Sequence, residues 1–448
     1  MRILLISANA LRMSDGRRWC ETPAKAAYAA TTLTLLAALI PPELGAEVAV
    51  VDEAVDAVPD DFWSADLVGI SAMTCDAQRA YQLADAARSR GVKVVLGGYH
   101  PTFMPDEALL HADAVVRGFA EAAWPQLLRE FSRGAMRPLY QSVWHDAFAS
   151  GVAVPRRDLL HPRAYSISNT LETARGCANS CNFCVVPPMH AGRFVPRSID
   201  RIQADLESMP AGPIAMLDAN PLENSTFAAT LLPVLKRVGR RWFSSASMKS
   251  ASDATWVKAA RASGCRGLVI GFESLDVSVL SGAGKSFNDV TRYRETCRML
   301  HGEGIAILGC FVFGLDGDDA SVFSRTVEFV DRNHLDVALY SIFTPFPGTA
   351  AWSRVRAHGR ILTTDWNQYD GRHVVYQPIG MTVDELQQGL YYAWNETYRL
   401  SSILRRVAGS RAMPLADLAV NLGFRYYRRT FVPVEVKTPQ RGGQCEFS

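Results

Sequence analysis

The sequence has no long uncharged apolar segment, no excess of either charge and few cysteines for its length. Of its 448 residues, 48% are hydrophobic and 21% are charged, and 47 Lys and Arg residues face 45 Asp and Glu residues. This balance gives no electrostatic basis for binding nucleic acid. The most apolar stretch, at 29–39, is shorter than the roughly 18 residues of a spanning helix. The N-terminal MRILLISA lacks the length and the cleavage site of a signal peptide. We therefore expect a cytoplasmic globular protein with no nucleic-acid partner and no membrane span.

Short β-branched runs alternate with helix-length segments through the first hundred or so residues. The runs indicate five strands, at 2–7, 47–52, 66–71, 92–97 and 113–117. This alternation predicts an α/β domain with a parallel sheet wrapped on both faces, of the doubly wound, flavodoxin-like type. Ligands of such sheets bind at the carboxyl ends of the strands. Here those ends carry residues from 8 onward, 71–74 and 97–100.

A second alternation begins at residue 168. Its strands are predicted at 168–174, 214–217, 242–246, 267–271, 306–313 and 337–343. Six βα units are too few for the eight-fold barrel and predict a partial, open, TIM-like (β/α)6 barrel. We place the N-terminal domain at 1–150, a linker at 151–167, the barrel at 168–375 and a helical C-terminal region at 376–448. Thr382 and Glu385 form a capping-box pattern at the start of that last region.

Only three of the nine cysteines are clustered, and an odd, scattered set does not indicate a disulfide framework. Cys177, Cys181 and Cys184 have C-x3-C-x2-C spacing on a loop after a predicted strand, so they can converge on one soft metal centre. Structural zinc requires four ligands, and His190 is the nearest candidate for a fourth. Three thiolates on a four-iron cluster instead leave one iron open to a substrate or cofactor.

The cluster spacing, the preceding Arg175-Gly176 and the aromatic Phe183 before the last cysteine resemble the radical S-adenosylmethionine (SAM) superfamily. The resemblance implies that Cys177, Cys181 and Cys184 hold a [4Fe–4S] cluster, with Phe183 at the cofactor site. It implies that the open iron chelates the methionine part of SAM. An electron from the cluster then cleaves SAM to a 5′-deoxyadenosyl radical, which calls for an external electron donor such as flavodoxin or ferredoxin.

Further family features follow downstream in the order of the barrel strands. Glu273 and Ser274, in a Gly-Phe-Glu-Ser string, resemble the strand end that meets the ribose and methionine of SAM. Asp218 and Asn220 follow an earlier strand, where the family contacts the SAM amino group. Gly309 resembles the glycine of the strand that lies against the adenine. The resemblance therefore implies that these five residues bind SAM.

The N-terminal domain resembles the cobalamin-binding domain that precedes some radical SAM cores. The resemblance rests on Ser71 and Met73 at one strand end and on Gly97 and Gly98 at the next. It implies that Ser71 contacts the nucleotide tail of cobalamin, with Met73 nearby, and that the glycines open a groove for that tail. His100 is either a further cofactor contact or a hydrogen-bonded residue of the turn. The alternative for the domain is a flavodoxin-like unit without cobalamin, in which the glycines only form turns.

Two departures from this subfamily matter. The loop after the first strand has Asp15 and Gly16 but lacks the histidine that often ligates cobalt, so we expect cobalamin bound without a histidine ligand. Phe119 follows Gly118 where the family often has glutamate, although Glu121 lies two residues further on. Because both cofactors must reach one substrate, the carboxyl ends of the two sheets are expected to face each other.

The resemblance as a whole implies a cobalamin-dependent radical SAM enzyme. Its most common reaction is methylation of an unactivated carbon of a small molecule or lipid through methylcobalamin. The alternative within the family is oxidative cyclisation or rearrangement, since 365–371 resembles the anaerobic magnesium-protoporphyrin cyclase subgroup. A non-catalytic corrinoid or iron–sulfur sensor is the alternative outside enzymology. Lipids, tetrapyrroles and natural-product scaffolds remain open as substrate classes.

Overall fold

The computed structural model describes residues 1–10, 26–29, 31–141, 148, 153–410 and 412–428. Its strands are β1 (Arg2–Ser7), β2 (Ala26–Tyr28), β3 (Glu47–Asp52), β4 (Leu67–Ser71), β5 (Lys93–Gly97), β6 (Ala114–Arg117), β7 (Leu139–Gln141), β8 (Tyr165–Ile167), β9 (Thr170–Leu171), β10 (Ala174–Gly176), β11 (Phe194–Pro196), β12 (Ile214–Met216), β13 (Trp242–Ala246), β14 (Cys265–Glu273), β15 (Ala306–Phe313) and β16 (Val337–Ile342). Its helices are α1 (Thr31–Ala38), α2 (Ala77–Arg88), α3 (Tyr99–Phe103), α4 (Pro105–His111), α5 (Ala120–Ser132), α6 (Val186–Met189), α7 (Ile199–Ser208), α8 (Ser225–Val238), α9 (Met248–Ala251), α10 (Ala254–Ala262), α11 (Val277–Gly282), α12 (Tyr293–Gly302), α13 (Val322–Arg332), α14 (Ala350–Ala357), α15 (Val383–Thr397), α16 (Leu400–Ser410) and α17 (Pro414–Tyr427).

The N-terminal sheet has the order β3-β1-β4-β5-β6-β7, and every neighbouring pair is parallel. Its central strands are almost entirely apolar because helices cover both faces. Helices α2 and α4 pack on one face, and α1 and α5 pack on the other. The prediction of a doubly wound domain is confirmed. Strand β7 was not predicted, since its three residues lie at the sheet edge with both ends exposed.

The second sheet has the order β16-β15-β14-β13-β12-β9 and is also parallel throughout. These six strands with their helices form the open, partial barrel that the sequence predicts. The predicted strand at 168–174 was wrong in its extent, since β9 ends at Leu171 and β10 pairs antiparallel with β11 outside the barrel sheet. The ladder stops there because the backbone N–H groups of Thr173 and Ala174 donate to the carboxylate of Asp218 instead.

The C-terminal region is helical and covers the β16 side of the barrel. Helix α15 begins at the predicted capping box, with the Thr382 hydroxyl accepting from the Glu385 N–H. Its buried stripe packs on α13 and β16, so the apolar periodicity reflects core packing. Arg406 on α16 is fully buried and donates to the carbonyl of Leu335 and to the side chain of Asn421. These contacts anchor the last two helices to the barrel.

A segment after the last barrel strand joins the two sheets. Trp366 and Tyr369 lie in the hydrophobic core under the N-terminal sheet. The Trp366 indole donates to Glu107 at 2.8 Å, and Gln78 donates to Asp365 at 3.0 Å. The predicted domain boundaries stay a prediction. In the ranges that the structure describes, no helix combines the length and apolarity needed to cross a membrane.

Candidate functional site

The cysteine loop follows β10 directly and depends on Gly176. This residue has a φ of +81°, and a Cβ there would lie 1.8 Å from the carbonyl oxygen of Arg193, so only glycine fits. The loop then presents its three thiols, all partly buried. The Asn179 N–H donates to Cys177 Sγ and the Val186 N–H donates to Cys184 Sγ, each at 3.4 Å. Such donors stabilise thiolates and tune iron–sulfur clusters.

The three thiols lie close enough to influence one another. The pKa of Cys181 is raised to about 12, chiefly by burial; the Lys285 ammonium opposes this rise, and the charges of Cys184, Glu273 and Cys177 add to it. The pKa of Cys184 is also raised, with burial as the main cause; the Cys177 thiol adds to the rise and Lys285 opposes it. Within the described ranges, no three His, Cys, Asp or Glu side chains gather around a single metal-ion position. His190, the candidate fourth zinc ligand, packs its ring on Phe119 with 4.9 Å between centroids.

The thiols line a cavity of about 230 Å³ at the carboxyl ends of the barrel strands. The cavity brings together six of the predicted site residues: Cys177, Cys181, Cys184, Phe183, Asn220 and Glu273. Ser245 and Ser247 at the end of β13 and Cys310 on β15 complete the lining, together with apolar side chains. A compartment with three soft ligands on one wall and polar groups on the facing strands fits a cluster with a small polar cofactor.

Glu273 and Lys285 form the charged part of this cavity. Glu273 has a φ of +61°, at a point where the β14–β15 register shifts. Its carboxylate accepts a 2.5 Å hydrogen bond from Lys285, and both side chains are 10% exposed. A Cβ on Gly271 would lie 2.2 Å from the Glu273 carboxylate, so the pair requires glycine there. Sequence reasoning missed Lys285, because it lies in a loop twelve residues after Glu273 with no motif around it.

Three predicted SAM contacts are placed differently. Asp218 is buried and accepts from the Thr173 N–H at 2.7 Å and the Ala174 N–H at 2.6 Å, so it positions the chain entering the cysteine loop. Burial raises the pKa of Asp218 to about 7. Ser274 is buried and accepts from the Asp276 N–H at 3.1 Å. A Cβ on Gly309 would meet Leu335 in the core.

The alternation of side chains explains why these residues do not line the cavity, and their contact with SAM stays a prediction. Side chains along a strand alternate between the two faces of the sheet. The residue next to Gly309, Cys310, therefore faces the cavity while Gly309 faces the core. Asp218 and Asn220 differ in the same way, since only Asn220 lines the cavity.

A second, smaller cavity of about 50 Å³ lies on the N-terminal sheet. Ser71, Gly97 and Gly98 line it as predicted, together with Thr32, Leu36, Gly69, Ile70, Val95, Leu96, Val116, Gly118 and Trp124. Gly98 has a φ of +99°, and a Cβ there would lie 2.7 Å from the carbonyl oxygen of Ala72. The sequence analysis did not predict Gly69 as part of this groove. A Cβ at Gly69 would lie 3.0 Å from the Leu5 side chain, so the close packing there favours glycine. This glycine-lined groove has the form that an extended cofactor tail requires.

Two predicted residues of the cobalamin domain, Met73 and His100, do not line the groove, and a third expectation concerns residues outside the described ranges. Met73 is 51% exposed beyond the end of β4 and does not line the groove. His100 is fully buried, with Nε2 3.4 Å from Glu107 and its ring packed on Trp366 at 5.0 Å. His100 therefore packs between the two sheets, and a cofactor contact through it stays a prediction. The expectation of no histidine ligand after the first strand concerns 13–18, which lie outside the described residues.

Loops that follow strands of the two sheets approach each other at the carboxyl ends of those strands. Tyr99 follows Gly98 at the end of β5 and approaches the cysteine loop. Its pKa is raised chiefly by burial and next by the Cys184 thiol. Cys75, after β4, is likewise near Asp370, after β16: burial is the main cause that raises the pKa of the Cys75 thiol, and the charges of Asp76 and Asp370 add to it.

Comparison with known proteins agrees with this geometry. The model of the B12 binding domain matches residues 35–128. The chain is 30% identical over 368 residues to the bacteriochlorophyllide d C-12(1)-methyltransferase of Chlorobaculum tepidum, covering 79% of each chain. The C-8(2)-methyltransferase of the same organism is 28% identical, with 80% of this chain and 83% of the relative covered. The anaerobic magnesium-protoporphyrin IX monomethyl ester cyclase of Cereibacter sphaeroides is 22% identical, over 68% of this chain and 55% of the cyclase.

Solved structures share the fold at low sequence identity. The cobalamin-dependent SAM radical enzyme OxsB with aqua-cobalamin bound has a TM-score of 0.69 and 13% identity, over 94% of this chain and 72% of that chain. The radical SAM methyltransferase TsrM from Kitasatospora setae, with cobalamin and a [4Fe–4S] cluster bound, has a TM-score of 0.62 and 18% identity. That alignment covers 80% of this chain and 75% of TsrM.

Proposed function

The chain belongs to the cobalamin-dependent radical SAM enzymes, a family that includes the bacteriochlorophyllide methyltransferases, and we propose that it methylates an unactivated carbon of a small molecule. The observation that carries the proposal is that both sheets have a cavity at the carboxyl ends of their strands. The three thiols and the Glu273–Lys285 pair line one, Gly97 and Gly98 line the other, and Tyr99, next to Gly98, is near Cys184 of the first.

The cluster and SAM supply one-electron chemistry that removes hydrogen from carbon, and cobalamin supplies the methyl group. The protein's own residues bind and orient these groups. Cys177, Cys181 and Cys184 provide the three thiolates. We propose that Asn220 and Glu273 orient SAM from the facing strand ends, while the ammonium of Lys285 balances the negative charge that the thiolates and Glu273 bring to the cavity.

The two ends of the active site differ in the way they hold their ligand. In the groove, Gly97 and Gly98 let an extended tail approach the backbone, and Ser71 lines the same groove. Along the thiol cavity, Phe183 and other apolar side chains form part of the wall around the cofactors. Fixing both ligands and the substrate in line supplies several kcal/mol of the barrier reduction.

We propose a tetrapyrrole as the first substrate class to test, because two relatives are named for methylation of bacteriochlorophyllide d. Lipids form the second class. An external one-electron donor such as flavodoxin or ferredoxin is part of the proposal, since the described residues include no further cysteine cluster near the site. The seven described cysteines are free thiols, which supports a reducing compartment such as the cytoplasm.

The test is anaerobic reconstitution with iron, sulfide and hydroxocobalamin, followed by turnover with a one-electron reductant, a tetrapyrrole substrate and SAM carrying a deuterated methyl group. Label in the tetrapyrrole product, together with 5′-deoxyadenosine, is the expected result. Formation of 5′-deoxyadenosine with an unlabelled, oxidised or cyclised product would contradict methylation. It would instead favour oxidative cyclisation, the reaction for which the 22% identical relative is named. No 5′-deoxyadenosine from protein with a full cluster would leave only the sensor alternative.

A further inference from the structure

Arg175 lies two residues before the first cluster cysteine and has acidic partners in both halves of the molecule. Its guanidinium donates to Glu172 in the barrel half at 2.8 Å. It also lies 2.6 Å from Glu121, near the start of α5 in the N-terminal domain. The Arg175 side chain is 11% exposed and that of Glu121 is 5% exposed, so this ion pair between the domains is buried.

Two aromatic rings surround the same guanidinium. Its central carbon lies 4.5 Å from the ring centroid of Phe119 and 4.3 Å from that of Phe148. A guanidinium attracts ring faces while its N–H groups remain free to bind carboxylates in its plane. The ring of Phe119 therefore packs on the face of the Arg175 guanidinium, and Glu121 provides a carboxylate for its N–H groups.

This arrangement connects the two cofactor cavities by a short path. Glu121 lies three residues after Gly118, which lines the groove of the N-terminal sheet. Arg175 is separated from Cys177 by Gly176 alone, and the conformation of Gly176 is fixed by close contact with Arg193. Tyr99 lies near the same guanidinium, whose charge lowers the pKa of its phenol against the larger effect of burial. A displacement of Glu121 is thus transmitted to the cysteine loop over very few bonds.

We propose that Arg175 is a positioning residue, which holds the cysteine loop against the cobalamin-binding domain through Glu121 and Phe119 and so fixes the distance between the two cofactors. The inference rests on the proposed function for the identity of the cofactors. It assigns Arg175 no contact with either one. A misplacement of about 1 Å between reacting groups can cost about 10²-fold in rate, so a fixed separation is worth a buried ion pair.

The test measures the distance between the cofactors directly and needs no substrate. Both the reduced cluster and cob(II)alamin are paramagnetic, so dipolar electron paramagnetic resonance reports their separation in the reconstituted full-length protein. The variants are Glu121→Gln, which removes the charge supplied by the N-terminal domain, and Glu172→Gln, a matched control that removes the partner within the barrel half. We expect Glu121→Gln to at least double the width of the distance distribution and Glu172→Gln to leave it narrow.

A variant that binds too little cofactor gives no distance signal, so a second measurement uses the cofactor-free protein. Hydrogen–deuterium exchange of the cofactor-free protein should be at least ten-fold faster over 174–184 in Glu121→Gln than in the wild type. Phe119→Leu, which keeps all the charges, should show a smaller increase in the same segment. Unchanged width and unchanged exchange in Glu121→Gln would overturn the inference, as would an equal effect of Glu172→Gln. If wild-type protein binds neither cofactor, the proposed function fails, and the exchange data alone decide the role of Arg175.

Discussion

Lys285 reaches back to Glu273 across the cavity and donates a 2.5 Å hydrogen bond to its carboxylate. The two residues come from a loop and a strand end, and a glycine at 271 is needed to bring them together. The charge of Lys285 also opposes the rise that burial causes in the pKa of Cys181 and Cys184, so its influence extends to the cysteine loop. The pair therefore joins the thiol wall of the cavity to the strand ends that face it.

Lys285→Met should destabilise the protein and weaken SAM binding together. Breaking a buried pair leaves one charge uncompensated, which typically costs about 3–5 kcal/mol. The double variant Glu273→Gln/Lys285→Met should recover much of the unfolding free energy because no lone charge remains. It should still bind SAM poorly. Denaturant unfolding and equilibrium dialysis with SAM measure the two effects, and normal SAM binding in the double variant would contradict the role given to the pair.

Cys181→Ala should abolish iron loading and SAM cleavage while cobalamin binding continues. The thiol lines the cluster cavity and is not part of the lining of the glycine groove, so its loss removes one of three ligands without altering the other site. Iron analysis, ultraviolet–visible spectra and 5′-deoxyadenosine assays give the result. The buried Cys297 is a matched control, since it lies in the core away from both cavities. Full activity of Cys181→Ala would refute the cluster assignment.

Gly97→Leu should reduce cobalamin affinity at least ten-fold and leave the iron content unchanged. A Cβ at Gly97 has its first neighbour at 3.7 Å, so the backbone tolerates a side chain, and that side chain would fill the groove. Spectroscopic titration with hydroxocobalamin measures the affinity. Gly282→Ala, at a position where a Cβ meets nothing within 4 Å, serves as the control. Equal affinity in Gly97→Leu would place the cobalamin tail elsewhere.

Asp218 should give the protein a stability that declines as the pH rises from about 4 to about 7. Its ordinary pKa of 3.8 is raised to about 7 by burial, so the folded protein binds this proton more tightly than the unfolded chain. The stability that the protonated Asp218 contributes is complete below its pKa in the unfolded chain. It is lost as the pH rises through its pKa in the folded protein. Relative to Asp218→Asn, the wild type should lose roughly 4 kcal/mol over this range, at 1.36 kcal/mol per pKa unit. Urea unfolding of both proteins at several pH values tests this, and a constant difference would contradict it.

Much of the architecture could be predicted because buried parallel strands have a strong apolar signature. The strands β1, β3 and β15 have the predicted bounds, and the three cysteines, Phe183 and Glu273 share one cavity as the family pattern implies. The resemblance to cobalamin-dependent radical SAM enzymes is confirmed by the relatives. Local patterns do not show which way a side chain points at the end of a strand, which accounts for Asp218 and Gly309.

Long-range contacts were the other part that the sequence could not show. Lys285 meets Glu273 only after a helix and a loop return the chain to the strand end. The His100 ring packs on Trp366, which lies far along the chain. Trp366 also donates to Glu107, at a separation of 259 residues in the sequence. The partnership of Arg175 with Glu121 arises in the same way, because it forms only when the two domains pack.

The aromatic segment after the last barrel strand has a consequence for how the protein can be divided. Trp366 and Tyr369 complete the hydrophobic interior of the other domain, so that interior is unfinished until the distant end of the barrel has been synthesised. Calorimetry should therefore record one cooperative melting transition instead of two. Chimeras that exchange the first 150 residues for those of a relative should fold only when the matching 365–375 segment is transplanted with them. The vitamin-binding half is in this sense an obligate partner and not a portable module.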